Sequence, residues 1–320
     1  MALDTKILHK AWIKRLIRGG GYILLIACIG FLLSRLWSIR QTLSLEHLGW
    51  DTLLLILLCG LSFALSQLLL STAWQLLLKW WGVSKPKLSW CHSLYGRTQI
   101  AKYLPGNVFH FAGRQMATKY FSASQAAIAG ASLLEILGLF LSSGLLALAG
   151  MAYYRLPHAA ISPEALLAML ACAVFILLMI SFGAQRLAVI KGVFPADHKG
   201  SSMLKQILPA YSLYALFFLI YSAHMAVLIQ HISGLDCIEN FGRLLTLVSI
   251  AWLAGYIAPG APGGLGVREA LLVLGLTPLI GEADAIIAAF SLRIVTLLGD
   301  LFFFLLALKI PLPTIKKAES

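Results

Sequence analysis

Apolar residues fall in long unbroken runs along this chain, not at every second or every third to fourth position. Crossing a hydrocarbon core takes about 20 residues of helix. Six runs approach or exceed that length: residues 20–37, 52–78, 124–150, 165–184, 207–230 and 283–309. Two further segments are apolar but interrupted. Residues 88–118 mix Arg97, Gln99, Lys102, Asn107, His110 and Arg114 with aromatic and aliphatic side chains. Residues 243–280 are broken by Pro259-Gly260-Ala261-Pro262-Gly263-Gly264. Broken backbone at membrane depth survives only inside protein or along a wet cavity, so both segments are predicted to be helical hairpins that enter and leave on the same side. How far their arms reach stays open.

The hairpins resemble each other. Ala101-Lys102-Tyr103-Leu104-Pro105-Gly106 is followed by Arg114, eight residues beyond its Gly; Ala254-Gly255-Tyr256-Ile257-Ala258-Pro259-Gly260 is followed by Arg268 at the same spacing. The Pro-to-Pro offset is 259 − 105 = 154, and the neighbouring spans keep a similar one. The chain therefore parses twice as span, span, hairpin, span. Three crossings per unit is an odd number, so the second unit must be inverted, an arrangement typical of transporters with a site at the midplane. The predicted fold is all-α and polytopic: six transmembrane helices plus two re-entrant-type hairpins in two inverted repeats. A basic N-terminus covers 1–19 and a membrane domain 20–309, with repeats near 20–150 and 165–309. A tail covers 310–320.

Composition narrows the class. Charged residues make up 12% and hydrophobic ones 60%, against about 25% charged in soluble domains, which excludes disorder and an ordinary soluble enzyme. The net charge of +12 then reflects basic loops facing anionic headgroups, not nucleic acid. With the N-terminus inside, the inner segments hold 19 Lys and Arg and the outer ones five, while eight of the thirteen acids lie outside. Both termini are expected to be cytoplasmic. Residues 20–37 follow a basic stretch with no small-x-small cleavage site, so they are expected to stay as the first span. The five cysteines include no CxxC pair and read as small buried side chains, and no metal or cofactor is expected.

Arg97-Thr98-Gln99-Ile100-Ala101-Lys102-Tyr103-Leu104-Pro105-Gly106-Asn107 with Arg114, and Pro259-Gly260-Ala261-Pro262-Gly263-Gly264-Leu265-Gly266-Val267-Arg268-Glu269, resemble the two motifs of the lysylphosphatidylglycerol synthase transmembrane-region family. Glu135 and Arg293 also fall where that family places intramembrane charges. The resemblance implies the lipid-flippase half of the multiple-peptide-resistance proteins, in a bacterial cytoplasmic (inner) membrane. The chain ends eleven residues after Lys309, so a standalone member without the aminoacyl-transferase domain is expected.

The candidate path comprises Arg97, Lys102, Tyr103, Pro105, Gly106, Asn107, His110 and Arg114 from the first hairpin. The second supplies Tyr256, Pro259, Pro262, Gly263, Gly264, Gly266, Arg268 and Glu269. Basic residues at membrane depth are costly and point to function. Guanidinium groups suit phosphate, and for Arg97 and Lys102 snorkelling to headgroups is the plain alternative. A helix starting at Gly266 would offer its N-terminus to an anion. Glu135, Arg293 and Asp300 are the charges inside continuous spans, and an ion pair between Glu135 and Arg293 is the bland reading beside proton coupling through Glu135. His224 reads as a structural histidine. No Walker A, HExxH or GxSxG pattern occurs, so no enzyme is expected. The function expected is translocation of an anionic lipid or lipid-linked saccharide between leaflets. The rivals are a scaffold for a lipid- or glycan-modifying enzyme partner and an intramembrane lipid transferase.

Overall fold

In the computed structural model, residues 49–83, 86–103, 109–121, 123–154, 203–258 and 261–312 are described. They form eight α-helices: α1 (Trp50–Trp80), α2 (Leu88–Gln99), α3 (Phe109–Arg114), α4 (Gln125–Tyr154), α5 (Met203–Ser233), α6 (Cys237–Ile257), α7 (Val267–Ile280) and α8 (Glu282–Lys309). Short 3-10 turns at Ile100–Tyr103 and Pro262–Gly264 interrupt the broken pairs, and a third at Gln115–Lys119 follows α3. Among the described residues, six helical stretches are long and apolar enough to cross a membrane. Four of them, α1, α4, α5 and α8, cover the predicted runs 52–78, 124–150, 207–230 and 283–309, apart from residue 124. The predicted spans 20–37 and 165–184 lie outside the described residues.

The remaining two candidate spans are the arms of the second broken segment, Cys237–Ile257 and Pro262–Ile280. The sequence reading left the reach of these arms open. The Asp236 carboxylate accepts from the Ile238 and Glu239 amides, so α6 starts six residues ahead of Arg243 and reaches about 31 Å. Its counterpart α2 has 12 residues and spans only about 18 Å.

Two units of long helix, broken pair, long helix follow each other. Their counterpart helices α1 and α5 run antiparallel: Thr52 Oγ1 lies 2.9 Å from His231 Nε2 at one end, and Phe63 packs on Phe217 and Tyr221 at mid-length, with ring centroids 5.6 Å apart in both cases. Phe63 and Phe217 are themselves counterparts at the offset of 154, so the local two-fold passes between them. The other packing obeys the same exchange. The end of α4 meets the start of α6 at Gly150 and Gly242, and the end of α8 meets the last turn of α2 at Ala307 and Gly96. Leu53, Leu54, Leu57, Leu58, Leu61 and Leu65 stay exposed on the outer side of α1, the stripe that would face lipid.

Candidate functional site

The two 3-10 turns that interrupt the broken pairs meet at the centre. Gly263 and Gly264 carry φ of 58° and 73°, a region that side chains resist, and this lets the second turn fold back tightly. A Cβ on Gly263 would lie 3.0 Å from the Tyr103 ring of the first turn, and one on Gly264 would lie 2.5 Å from Arg268 Nε. Around the junction is a narrow cavity of about 60 Å³, lined by residues of both units. Five lining pairs are counterparts at the offset of 154: Phe63 and Phe217, Gln67 and Tyr221, Lys102 and Tyr256, Arg114 and Arg268, Leu139 and Arg293. The cavity therefore straddles the local two-fold.

Three carboxylates organise its charge. Arg114, 1% exposed, donates through Nη1 to Glu135 and through Nη2 to Gln99 Oε1 at 3.0 Å. Its guanidinium carbon sits 3.7 Å from the Tyr95 ring centroid, and the Tyr95 hydroxyl donates to Glu135 at 2.7 Å. Asp300 accepts from Gln67 Nε2 at 2.8 Å, from Lys102 Nζ at 2.8 Å and from the Tyr103 hydroxyl. It thus ties the first turn to α8 and α1. Glu269 accepts from the Gly266 amide at 2.6 Å and faces Arg293 Nε at 3.4 Å, while Arg293 Nη1 donates to the Gly263 carbonyl at 3.1 Å.

Several sequence readings change here. Glu135 and Arg293 do not pair with each other. Each pairs within its own unit, with the polarity reversed: the broken segment brings the cation (Arg114) in unit one and the carboxylate (Glu269) in unit two. The N-terminus of α7 offers no open anion site, because Glu269, one turn in, already caps Gly266. Arg97 does not line the cavity. It donates to the carbonyls of Ala307, Leu308 and Ile310 at 3.2–3.3 Å, where a cation complements the C-terminal end of α8.

Of the other predicted residues, Lys102, Tyr103, His110, Arg114, Glu135, Tyr256, Gly263, Arg268 and Arg293 line the cavity. Gly264, Gly266, Glu269 and Asp300 hold its walls from behind, and Pro262 opens the second turn. Pro105, Gly106, Asn107 and Pro259 lie outside the described residues. His224 is buried against Phe63 and does not itself line the cavity. The sequence reading passed over Gln67, Tyr95, Tyr221 and Trp252 as lining residues. Carrying the 154 offset from the hairpins into the spans would have paired Gln67 with Tyr221.

Arg268 differs from the other cations. Its side chain runs through a slot between Gly255 and Gly264, with 2.4 Å and 2.5 Å separating it from the Cβ either glycine would carry. The guanidinium carbon is 5.5 Å from the Trp252 ring centroid. Among the described residues it forms no salt bridge, and its Nε has no hydrogen-bond partner.

The chain matches the family described as Lysylphosphatidylglycerol synthase TM region over residues 16–303. No curated protein matches it.

Proposed function

We propose, for a chain that belongs to the lysylphosphatidylglycerol synthase transmembrane-region family, that it carries an anionic lipid or lipid-linked saccharide from one leaflet to the other. The membership makes it a multi-pass membrane protein of a family linked to lipid handling. The observation that carries the finer reading is the cavity: a space with four cationic residues in its lining, set within apolar helices and lined by counterpart residues of two antiparallel units. Ionised side chains at membrane depth are expensive, and a site on the axis relating two inverted units is the position from which both leaflets can be served in turn.

The mechanism follows from the contacts that close the cavity. At about 60 Å³ it admits a few waters and not a headgroup, so the headgroup enters when the turns part. The contacts that must yield are the tie from Lys102 and Tyr103 to Asp300 and the seating of Tyr103 on Gly263. The ion pairs Arg114–Glu135 and Glu269–Arg293 stay inside their own units and move with them. Exchange of conformation between the units then turns the opening to the other leaflet, while acyl chains remain in the bilayer. The membrane we assign is the bacterial inner membrane, with both termini cytoplasmic.

Reconstitution tests this reading. Lipids that co-purify with the protein are identified by mass spectrometry, and the same lipids are followed in proteoliposomes with a leaflet-accessibility assay. Protein-dependent exchange is expected. A lipid bound without exchange would favour a scaffold, and a change in its mass would favour a transferase.

A further inference from the structure

We infer that the headgroup this cavity takes is a phosphodiester bearing a single negative charge. The inference rests on the translocation reading and sharpens it to a charge rule. Four cations meet at the cavity, Lys102, Arg114, Arg268 and Arg293. Among the described residues three carboxylates answer them, and each is already engaged: Glu135 by Arg114 and Tyr95, Asp300 by Lys102, Tyr103 and Gln67, Glu269 by Arg293 and the Gly266 amide. Among the described residues one positive charge is left over, on Arg268. In a low-dielectric site an unbalanced charge of either sign is penalised, so a monoanion is the guest that completes the balance. A dianion would overshoot it, and a neutral or zwitterionic headgroup would leave the deficit in place.

The donors point the same way. Arg293 Nη2 and Arg114 Nε are buried and hydrogen-bond to no acceptor among the described residues, and Arg268, which has no carboxylate partner among them, lines the same cavity. A phosphodiester spreads its one charge over two free oxygens and keeps two ester oxygens as weaker acceptors, which suits donors arriving from more than one guanidinium. The slot between Gly255 and Gly264 holds the Arg268 stem in line with the cavity, so little side-chain freedom is lost on binding. Glycerophosphodiester lipids and sugars joined to a polyprenol through one phosphate both have this chemistry. Phosphatidate and diphosphate-linked sugars do not.

The test measures binding separately from exchange, on the full chain in neutral nanodiscs at mildly alkaline pH, where a phosphate monoester is a dianion. The probes are phosphatidylglycerol, a polyprenyl phosphoglucose, phosphatidate, a polyprenyl diphosphoglucose, oleate and soluble glycerophosphoglycerol. The two lipid diesters should bind, and phosphatidate and the diphosphate should bind roughly tenfold or more weakly. Oleate binding as tightly as the diesters would overturn the phosphodiester assignment, and equal binding of mono- and dianions would overturn the charge rule. Glycerophosphoglycerol competing as well as the lipids would overturn the lipid assignment. Arg268→Gln should weaken diester binding by roughly ten- to a hundredfold, the worth of one charged hydrogen bond, and Arg268→Lys should restore part of it.

Glu269→Gln gives the sharper outcome. It keeps an acceptor for the Gly266 amide but frees Arg293, so the preference should move toward the dianions. Asp300→Asn makes the same prediction from a second carboxylate. Unchanged preference in either folded variant, or wild-type binding by Arg268→Gln, would overturn the inference. Exchange that ignores headgroup charge would also overturn it while leaving translocation intact. Diester-selective binding with no exchange supports it and removes translocation instead.

Discussion

Arg114 and Arg268 occupy matching places in the two units, yet their surroundings assign them different work. Arg114 is 1% exposed and fixed by Glu135, Gln99 and the Tyr95 ring. Removing it leaves Glu135 buried and charged with no cation, a loss of about 3–5 kcal/mol. Arg114→Gln should therefore lower the thermal unfolding midpoint sharply in detergent. Arg114→Leu combined with Glu135→Leu should recover much of it, because the pair goes together. Recovery by the double variant is the decisive reading; equal damage in single and double variants would mean that Arg114 holds more than its carboxylate. The sequence pattern singled out both arginines, and both line the cavity. It could not tell them apart, because a partner 21 residues away on another helix leaves no mark in spacing. Gly264 is a second residue-scale case. With φ of 73°, alanine there strains the backbone by about 1–3 kcal/mol and displaces Arg268 Nε. Gly264→Ala should weaken headgroup binding while secondary structure by circular dichroism stays intact.

At the scale of helices, the units close on each other through glycines. A Cβ on Gly150 of α4 would lie 2.4 Å from the Gly242 carbonyl oxygen of α6, and one on Gly299 of α8 would lie 3.0 Å from the Gly60 carbonyl oxygen of α1. Such close backbone approach is how helices gain contact where the surroundings are as apolar as they are. Gly150→Leu should pry α4 from α6 and lower the unfolding midpoint, whereas Gly144→Leu should be tolerated because nothing lies within 4 Å of its Cβ position. Equal melting of the two variants would refute close packing at Gly150. The four long helices could be read from hydropathy alone, since a run of that length has few other uses. The reach of α6 could not, because it depends on the Asp236 cap, which lies ahead of the apolar segment. The reversal of ion-pair polarity between the units was also hidden: Glu269 sits one residue after Arg268, and only the three-dimensional path shows which of the two turns toward Arg293.

For the molecule as a whole, antiparallel pairing of the units makes sidedness a single question with one answer. Asp51 and Thr52, at the start of α1, meet His231 at the end of α5, so these residues share one end of the molecule. Trp50 and Tyr153, 88% and 77% exposed, flank the first turn of α1 and the last of α4, as aromatic residues do at a membrane interface. The opposite end is marked by Ser71 against His92 at 2.6 Å, by Gln75 donating to the Pro86 carbonyl, and by Arg97 on the last carbonyls of α8. Lys79, Lys87, Arg97 and Lys309 gather toward this second end, while Asp51, Asp236, Glu239, Glu282 and Asp284 lie toward the first. Basic loops stay cytoplasmic, so the second end should face inward. In a cysteine-free background, Ser233→Cys should react with an impermeant maleimide on intact cells, and Lys87→Cys only after permeabilisation. The reverse pattern would flip the molecule without disturbing its fold. Labelling of Asp51→Cys and Ser233→Cys from opposite sides is the outcome that would break the antiparallel pairing itself, and with it the premise that one cavity on the two-fold serves both leaflets.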